Sequence, residues 1–331
     1  MTQMQQDTEA KSVSQLAGLG LATAVCYDCY GTQMATCSEK GVVIWKNSDS
    51  SSAWSRRAVL PGEGTKDCGT LAWAHPEYGN VIAAGSNDVA KEGGRVYVWE
   101  EVTPTASGEE SAWALRSTLG ECGAAVVGVR FAPPAKGLWL AAAASNGTIR
   151  LYECLGALEL KHWDLQSYFS IGGECMVQGL EWCPSPAGPA MLAVACTNGG
   201  NSGAGVQVWS YVEPFARWTL SATLPCAATV AAVAWSPMQI AEHELLAGAS
   251  GDLVILWRLN VGPLKEDGTA TVHAEEVARL PHSSSVCQME WNMTASTLAT
   301  STADGNVTLW SSNLATGDWQ PQALVVGDAA L

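Results

Sequence analysis

MEWNMTASTLATSTADGNVTLW, residues 289–310, is the stretch on which the reading of the fold turns. Residues 289–291 read as a short strand ending in an aromatic, and 297–302 as a second strand of small and apolar residues. Asp304-Gly305 supplies a tight turn of type I′, whose two central residues need positive φ, a demand that costs Gly nothing and Asp little. In 306–310, Val307 and Leu309 alternate with Thr308 and Trp310, the period-2 mark of a strand whose faces are used differently. The unit is a three-stranded antiparallel meander.

Slid back along the chain, the unit recurs. Tyr27, Trp73, Phe131, Trp182, Trp235 and Trp291 each close a first strand, and Trp45, Trp99, Tyr152, Trp209, Trp257 and Trp310 each close a third. Residues 25–37 align with 289–301 without a gap. Third-strand aromatics follow one another by 54, 53, 57, 48 and 53 residues, longer than a WD repeat of about 40–45, and the excess goes to loops and a fourth strand. Trp54, Trp113, Trp163, Trp218 and Trp319 mark that fourth strand, whereas the fifth copy offers VARL, 277–280, in its place. Most of the 15 tryptophans therefore have a packing role in a repeat. The second strands are built from small residues (IAAGS, LAAAAS, LAVACT, LLAGAS, LATST), as sheets stacked about 10 Å apart require. Six such copies predict an all-β fold, a six-bladed WD-repeat β-propeller.

The boundaries follow from the same pattern. Residues 1–13 are expected to be a disordered tail, 14–326 a single propeller domain of six WD-like repeats, and 327–331 a C-terminal tail. Hairpins of the second and fourth copies are enlarged at 87–94 and 198–205, on one rim, and the sequon at Asn146 reads as a plain hairpin turn.

Composition narrows the chemistry. A formal net charge of −15, from 17 basic and 32 acidic residues, argues against direct nucleic-acid binding, which depends on Lys and Arg. No apolar run reaches the ~20 residues of a membrane span, so no direct membrane insertion is expected. Eleven cysteines, an odd number with no secretion signal expected, read as reduced thiols; Cys37, Cys196 and Cys287 fall in apolar strands and act as small hydrophobes. Cys26 and Cys29 have a zinc-like spacing but lack a second such pair, so no metal site is assigned. His75, His162, His243, His273 and His282 have no metal-binding or catalytic spacing, and no nucleophile elbow or Walker loop is present. Arg130, Glu181 and Glu290 are single charges on innermost strands, read as solvated or paired. No enzyme activity, catalytic residue or cofactor is predicted.

MATCSEKGVVIW, WAHPEYGNVIAAGS, VYVWEE, FAPPAKGLWLAAAASNGTIRLYE, HWDLQ and the opening stretch closely resemble the SEH-type WD-repeat nucleoporins, a Sec-thirteen homologue family of Y-complex subunits. The resemblance spans nearly the whole chain. Phe131-Ala132-Pro133, Arg150-x-Tyr152-Glu153 and Trp163-x-Leu165-Gln166 look specifically like that branch. It implies an open propeller whose gap, between the first and sixth blades, is filled in trans by a blade from an α-solenoid nucleoporin of the Y-complex short arm. It also implies contact with other Y-complex subunits at the nuclear envelope, and a second role in the amino-acid-sensing (GATOR/SEA-type) complex at the lysosome or vacuole. Val25, Tyr27 and Met34 on the first blade and Trp291, Leu298 and Val307 on the sixth are the residues expected to line the gap. The alternatives are a Sec-thirteen-like vesicle coat subunit and a closed, peptide-binding WD-repeat adaptor. No Asp follows a third-strand aromatic and no Gly-His pair occurs, which counts against the internal Asp/His/Ser/Trp network of orthodox WD repeats in every blade. The His expected just before the first strand of the first copy is missing.

Overall fold

Alternating large and small side chains fold into six groups of four strands. Blade 1 comprises β1 (Ala22–Tyr27), β2 (Gln33–Ser38), β3 (Gly41–Asn47) and β4 (Trp54–Val59); blade 2, β5 (Cys68–Trp73), β6 (Val81–Ser86), β7 (Val96–Val102) and β8 (Ala112–Leu119). Blade 3 has β9 (Val126–Phe131), β10 (Trp139–Ala144), β11 (Thr148–Cys154) and β12 (Trp163–Ser170); blade 4, β13 (Cys175–Trp182), β14 (Met191–Asn198), β15 (Ala204–Val212) and β16 (Arg217–Cys226). Blade 5 has β17 (Val230–Trp235), β18 (Glu244–Ser250), β19 (Leu253–Val261) and β20 (Val272–Pro281); blade 6, β21 (Val286–Trp291), β22 (Thr297–Thr302), β23 (Val307–Ser312) and β24 (Trp319–Val325). The computed structural model describes residues 21–47, 54–62, 65–87, 93–102, 111–120, 122–156, 159–172, 175–198, 204–237, 244–313 and 317–325. Both expected tails, the tip at 88–92 and the insertion at 199–203 lie outside them. Each sheet is one antiparallel meander in chain order, so every blade comes from one contiguous stretch of sequence.

The repeated aromatics have repeated jobs. In five blades the aromatic ending the innermost strand meets the one opening the outermost strand, mostly edge to face: Tyr27–Trp54 at 5.8 Å, Trp73–Trp113 at 6.1 Å, Phe131–Trp163 at 6.4 Å, Trp182–Trp218 at 5.9 Å and Trp291–Trp319 at 5.6 Å. In blade 5 the corresponding register position, opposite Leu259, holds Ala274. The sequence reading had placed residues 277–280 there; β20 starts earlier than that. At every third-strand aromatic the pairing with the outermost strand slips, from Ile44/Trp45 to Leu309/Trp310. Such a bulge increases the local twist, and here it recurs in all six blades.

The turn at Asp304-Gly305 differs from its expectation. Only Gly305 has positive φ (83°), and its N–H donates to the Thr302 carbonyl at 2.9 Å. The loop is therefore a three-residue one, a turn closed by a glycine in the left-handed region. Asp304 serves through its side chain instead, accepting from Thr302, Ser283 and Asn306.

Successive blades are held by separate apolar cores. One lies between blades 1 and 2 around Ile44, Ile82 and Trp99, and another between 2 and 3 around Val98 and Leu140. The rest join 3 to 4 around Leu151 and Leu192, 4 to 5 around Val208 and Leu246, and 5 to 6 around Leu256 and Leu298. Small second-strand residues allow this close stacking: Ala83, Ala84, Ala141, Ala143, Ala193, Ala195, Ala247 and Ala249 have no exposure at all.

Candidate partner-binding site

Five cores join six blades. Each innermost strand packs on the next, β1 on β5 and so on to β17 on β21, and among the described residues no comparable contact or core joins β21 to β1. Two sheet faces are thereby set apart. On blade 1 the face turned away from blade 2 carries Val25, Tyr27, Met34, Thr36, Val43 and Trp45, as the pairs Tyr27–Met34, Val25–Thr36 and Met34–Trp45 dictate. Val25 is 45% and Tyr27 53% exposed, while Met34, Val43 and Trp45 form a small buried cluster with Trp54. On blade 6 the face turned away from blade 5 carries Gln288, Glu290, Ala299, Ser301, Val307 and Leu309, none of them buried. The corresponding blade 5 residues Ala247, Ala249, Val254 and Leu256 are fully buried against blade 6.

Four of the six residues predicted to line a gap, Val25, Tyr27, Met34 and Val307, thus lie on these faces, with Met34 buried. Trp291 and Leu298 do not. They point into the core against blade 5, and the Trp291 indole donates to the Ala234 carbonyl at 3.2 Å. The cause is rotational. Equivalent positions look toward the preceding blade throughout the ring, so the positions that face the slot in blade 1 face blade 5 in blade 6. Glu290, Ala299, Ser301 and Leu309, missed by the sequence reading, carry the opposite parity. The alternation separates the two faces, and only the direction of blade stacking says which neighbour each one meets.

A central cavity of about 710 Å³ is lined by the innermost strands of all six blades and also by Ala299, Ser301 and Val307, so it continues sideways over the exposed face of blade 6. The residues before the inner aromatics, Cys26, Ala72, Arg130, Glu181, Ala234 and Glu290, form a ring at one level, and Arg130, Glu181, Ala234 and Glu290 line the cavity. Each sits opposite an alanine of the second strand. Arg130 Nε donates to Glu181 Oε2 at 2.9 Å, and its Nη1 donates to the carbonyls of Val129 at 2.9 Å and Leu71 at 3.4 Å. Among the described residues Glu290 has no such partner. The surrounding wall raises its pKa, the nearby Glu181 carboxylate adds to the shift, and Arg130 opposes it.

No group of three or more His, Cys, Asp or Glu side chains converges as a metal site among the described residues. Cys37 and Cys196 are buried, and burial pushes their thiols up, that of Cys196 to about 11. Cys287 departs from its expectation as a core residue, being exposed on β21.

Blade 6 retains most of the network that the missing Gly-His pair had counted against. His282 Nδ1 is 3.0 Å from the Leu280 carbonyl and Nε2 is 2.7 Å from the Thr300 hydroxyl; the Trp310 indole donates to both Nε2 and Thr300 at 3.2 Å. Blade 1 keeps only the Trp45–Thr36 bond, 2.9 Å. An indole N–H aimed at Nε2 requires that nitrogen unprotonated, so Nδ1 carries the proton. Burial lowers the pKa of His282 below its ordinary 6.5, the backbone bonds to Leu280 and Asp252 opposing. A His depressed on folding contributes stability that is whole above 6.5 and is lost as pH falls below that value toward the folded one. Resistance of the wild type to urea unfolding should accordingly fall between pH 7.5 and 5. His282→Gln should start about 1 kcal/mol lower at pH 7.5 and show a flatter decline.

The WD domain, G-beta repeat family model matches residues 274–311, the span that holds this network. Over 92% of the chain, 30% of residues are identical to Nucleoporin SEH1 of Osmerus mordax, covering 84% of that protein. The Danio rerio Nucleoporin SEH1 is 31% identical and the Homo sapiens one 30%, with 84% and 85% of those proteins covered. The chain belongs to the SEH1 nucleoporin family. A relationship of that extent, on a six-bladed fold, makes it a WD-repeat nucleoporin with a structural, non-enzymatic role.

Proposed function

We propose that this SEH1-family chain is a scaffold subunit of the nuclear pore's Y-shaped outer-ring complex. It acts as an open propeller that an α-solenoid nucleoporin of the short arm completes with a blade inserted between blades 6 and 1. The observation that carries this reading is the count of five cores for six blades, which leaves two strand-paired sheet faces unstacked. Apolar faces and sheet edges of that kind favour association. An inserted blade would bury them, and addition of strands brings main-chain hydrogen bonds for affinity and side-chain pockets for specificity. The relatives' names support a place at the nuclear pore among other nucleoporins.

Co-expression with that solenoid tests the proposal. A stoichiometric complex is expected, with hydrogen-exchange protection appearing on β1 and on β22 to β24. A chain that stays monomeric in the presence of the solenoid, or a complex protected only elsewhere, would sink it. A role in the amino-acid-sensing complex at the lysosome or vacuole would use the same slot for a different solenoid. Mass spectrometry of proteins captured with the tagged chain from cells separates pore, sensing-complex and vesicle-coat assemblies.

A further inference from the structure

The ring at the level of Glu290 is built by a rule. The members lie on the face of their blade that looks toward the next one, as Ala72 does in the core of blades 2 and 3 and Ala234 in that of blades 5 and 6, and the two successive charged members pair: Arg130 of blade 3 reaches Glu181 of blade 4 at 2.9 Å. The inner aromatics add a second contact at the same level. Trp182 donates its indole N–H to the Arg130 carbonyl at 3.0 Å, and Trp291 donates to the Ala234 carbonyl at 3.2 Å, each binding its blade to the one before. Glu290, the sixth member, lines the central cavity from the face of blade 6 that no further blade covers. Among the described residues it makes neither hydrogen bond nor ion pair, and its neighbours on that face, Gln288, Ala299 and Ser301, supply no cation. The charges that act on it are Glu181, which repels it, and Arg130, already committed to Glu181. The ring thus holds two carboxylates and one guanidinium, with the position between Glu290 and Cys26 unfilled.

We propose that the blade entering the slot carries an arginine or lysine at this ring position, followed by an aromatic, and pairs the cation with Glu290. The inference rests on the blade-completion reading above and specifies the chemistry of its occupant. The Arg130–Glu181 contact is repeated with its sign reversed, and the ring becomes neutral. An aromatic with a donor, Trp or Tyr, then reaches the Glu290 carbonyl as Trp182 reaches that of Arg130. Charge complementarity at this depth acts on partner choice, because any occupant with an acidic residue there would face an unpaired carboxylate in a closed channel.

The experiment measures the dissociation constant of the full chain for the same solenoid by calorimetry, alongside the melting temperature of each variant. Glu290→Lys should weaken binding at least about 10-fold, and Glu290→Gln about 3- to 10-fold, with melting temperatures not lowered, because Glu290 has no partner to lose and its carboxylate is disfavoured by the fold. Replacing the solenoid's matching basic residue by Glu should restore binding to Glu290→Lys. Undiminished binding by both variants overturns the inference and leaves blade completion standing. If the wild type itself does not bind, blade completion falls, and the inference with it. Should Glu290→Lys fail to fold, Glu290→Gln decides alone.

Discussion

Replacing Trp99 by alanine is expected to remove about 3–5 kcal/mol of folding stability, read as the shift of the urea unfolding midpoint at unchanged slope. Trp99 is fully buried at the seam of blades 1 and 2, stacks on Tyr97 at 5.7 Å, and donates its indole N–H to the Pro61 carbonyl at 2.7 Å. Truncation leaves a cavity between two sheets already stacked as closely as alanines allow, so the walls have little room to collapse. With domain stabilities of about 5–15 kcal/mol, a loss of this size is a large fraction of the whole. Trp99→Phe keeps one aromatic ring, gives up part of the volume and forfeits the hydrogen bond, and should cost less, about 1–2 kcal/mol. Equal losses for the two variants would show that the indole N–H, not the packing, holds the seam.

The second large effect concerns binding, with stability as its control. Val25→Glu and Val307→Glu each place a carboxylate where an inserted blade would stack. Val25 is 45% exposed and Val307 is incompletely buried, so either variant alone should change stability by no more than about 0.5 kcal/mol. In the complex the same carboxylate would be desolvated without a partner, and association with the solenoid should weaken at least about 100-fold, equivalent to about 2.7 kcal/mol. Leu165→Glu, on the outermost strand of blade 3, is the matched control on an exposed leucine away from the slot and should leave affinity unchanged. Unaltered affinity in both valine variants would move the docking surface away from these faces.

Much of this architecture is legible in the sequence, because the repeat writes it six times. Aromatics at fixed places announce both ends of each sheet, and the structure brings them together as contacting pairs in five blades. The two misplaced details have local physical causes. At Asp304-Gly305 a two-residue and a three-residue hairpin ask for the same glycine; they differ in whether Asp304 itself adopts positive φ, which residue type alone does not decide. In blade 5, Ala274 stands where an aromatic was sought, so the pattern has no marker and the strand start slips. Of the candidate site, Val25, Tyr27 and Val307 could be found from parity, whereas Trp291 and Leu298 could not be excluded by it. They share every local property with Tyr27 and Met34. Only the direction in which blades stack separates residues that meet a neighbour from residues that face the slot. The same knowledge would have singled out Glu290, an acid on a strand face whose equivalents elsewhere in the ring are mostly small or paired.

Because every blade is one contiguous stretch, no strand among the described residues is shared between the first and last blades. Six units joined through five seams behave thermodynamically as a short one-dimensional array bent into an arc, in which each interior unit is steadied by two neighbours and each terminal unit by one. Order in such an array is lost from its ends, so the first and last blades are the least secured parts of the molecule. A ligand that grips both ends converts the line into a cycle. It adds two interfaces at once and removes the places where fraying begins, so the stability of all six blades becomes coupled to the occupancy of one slot.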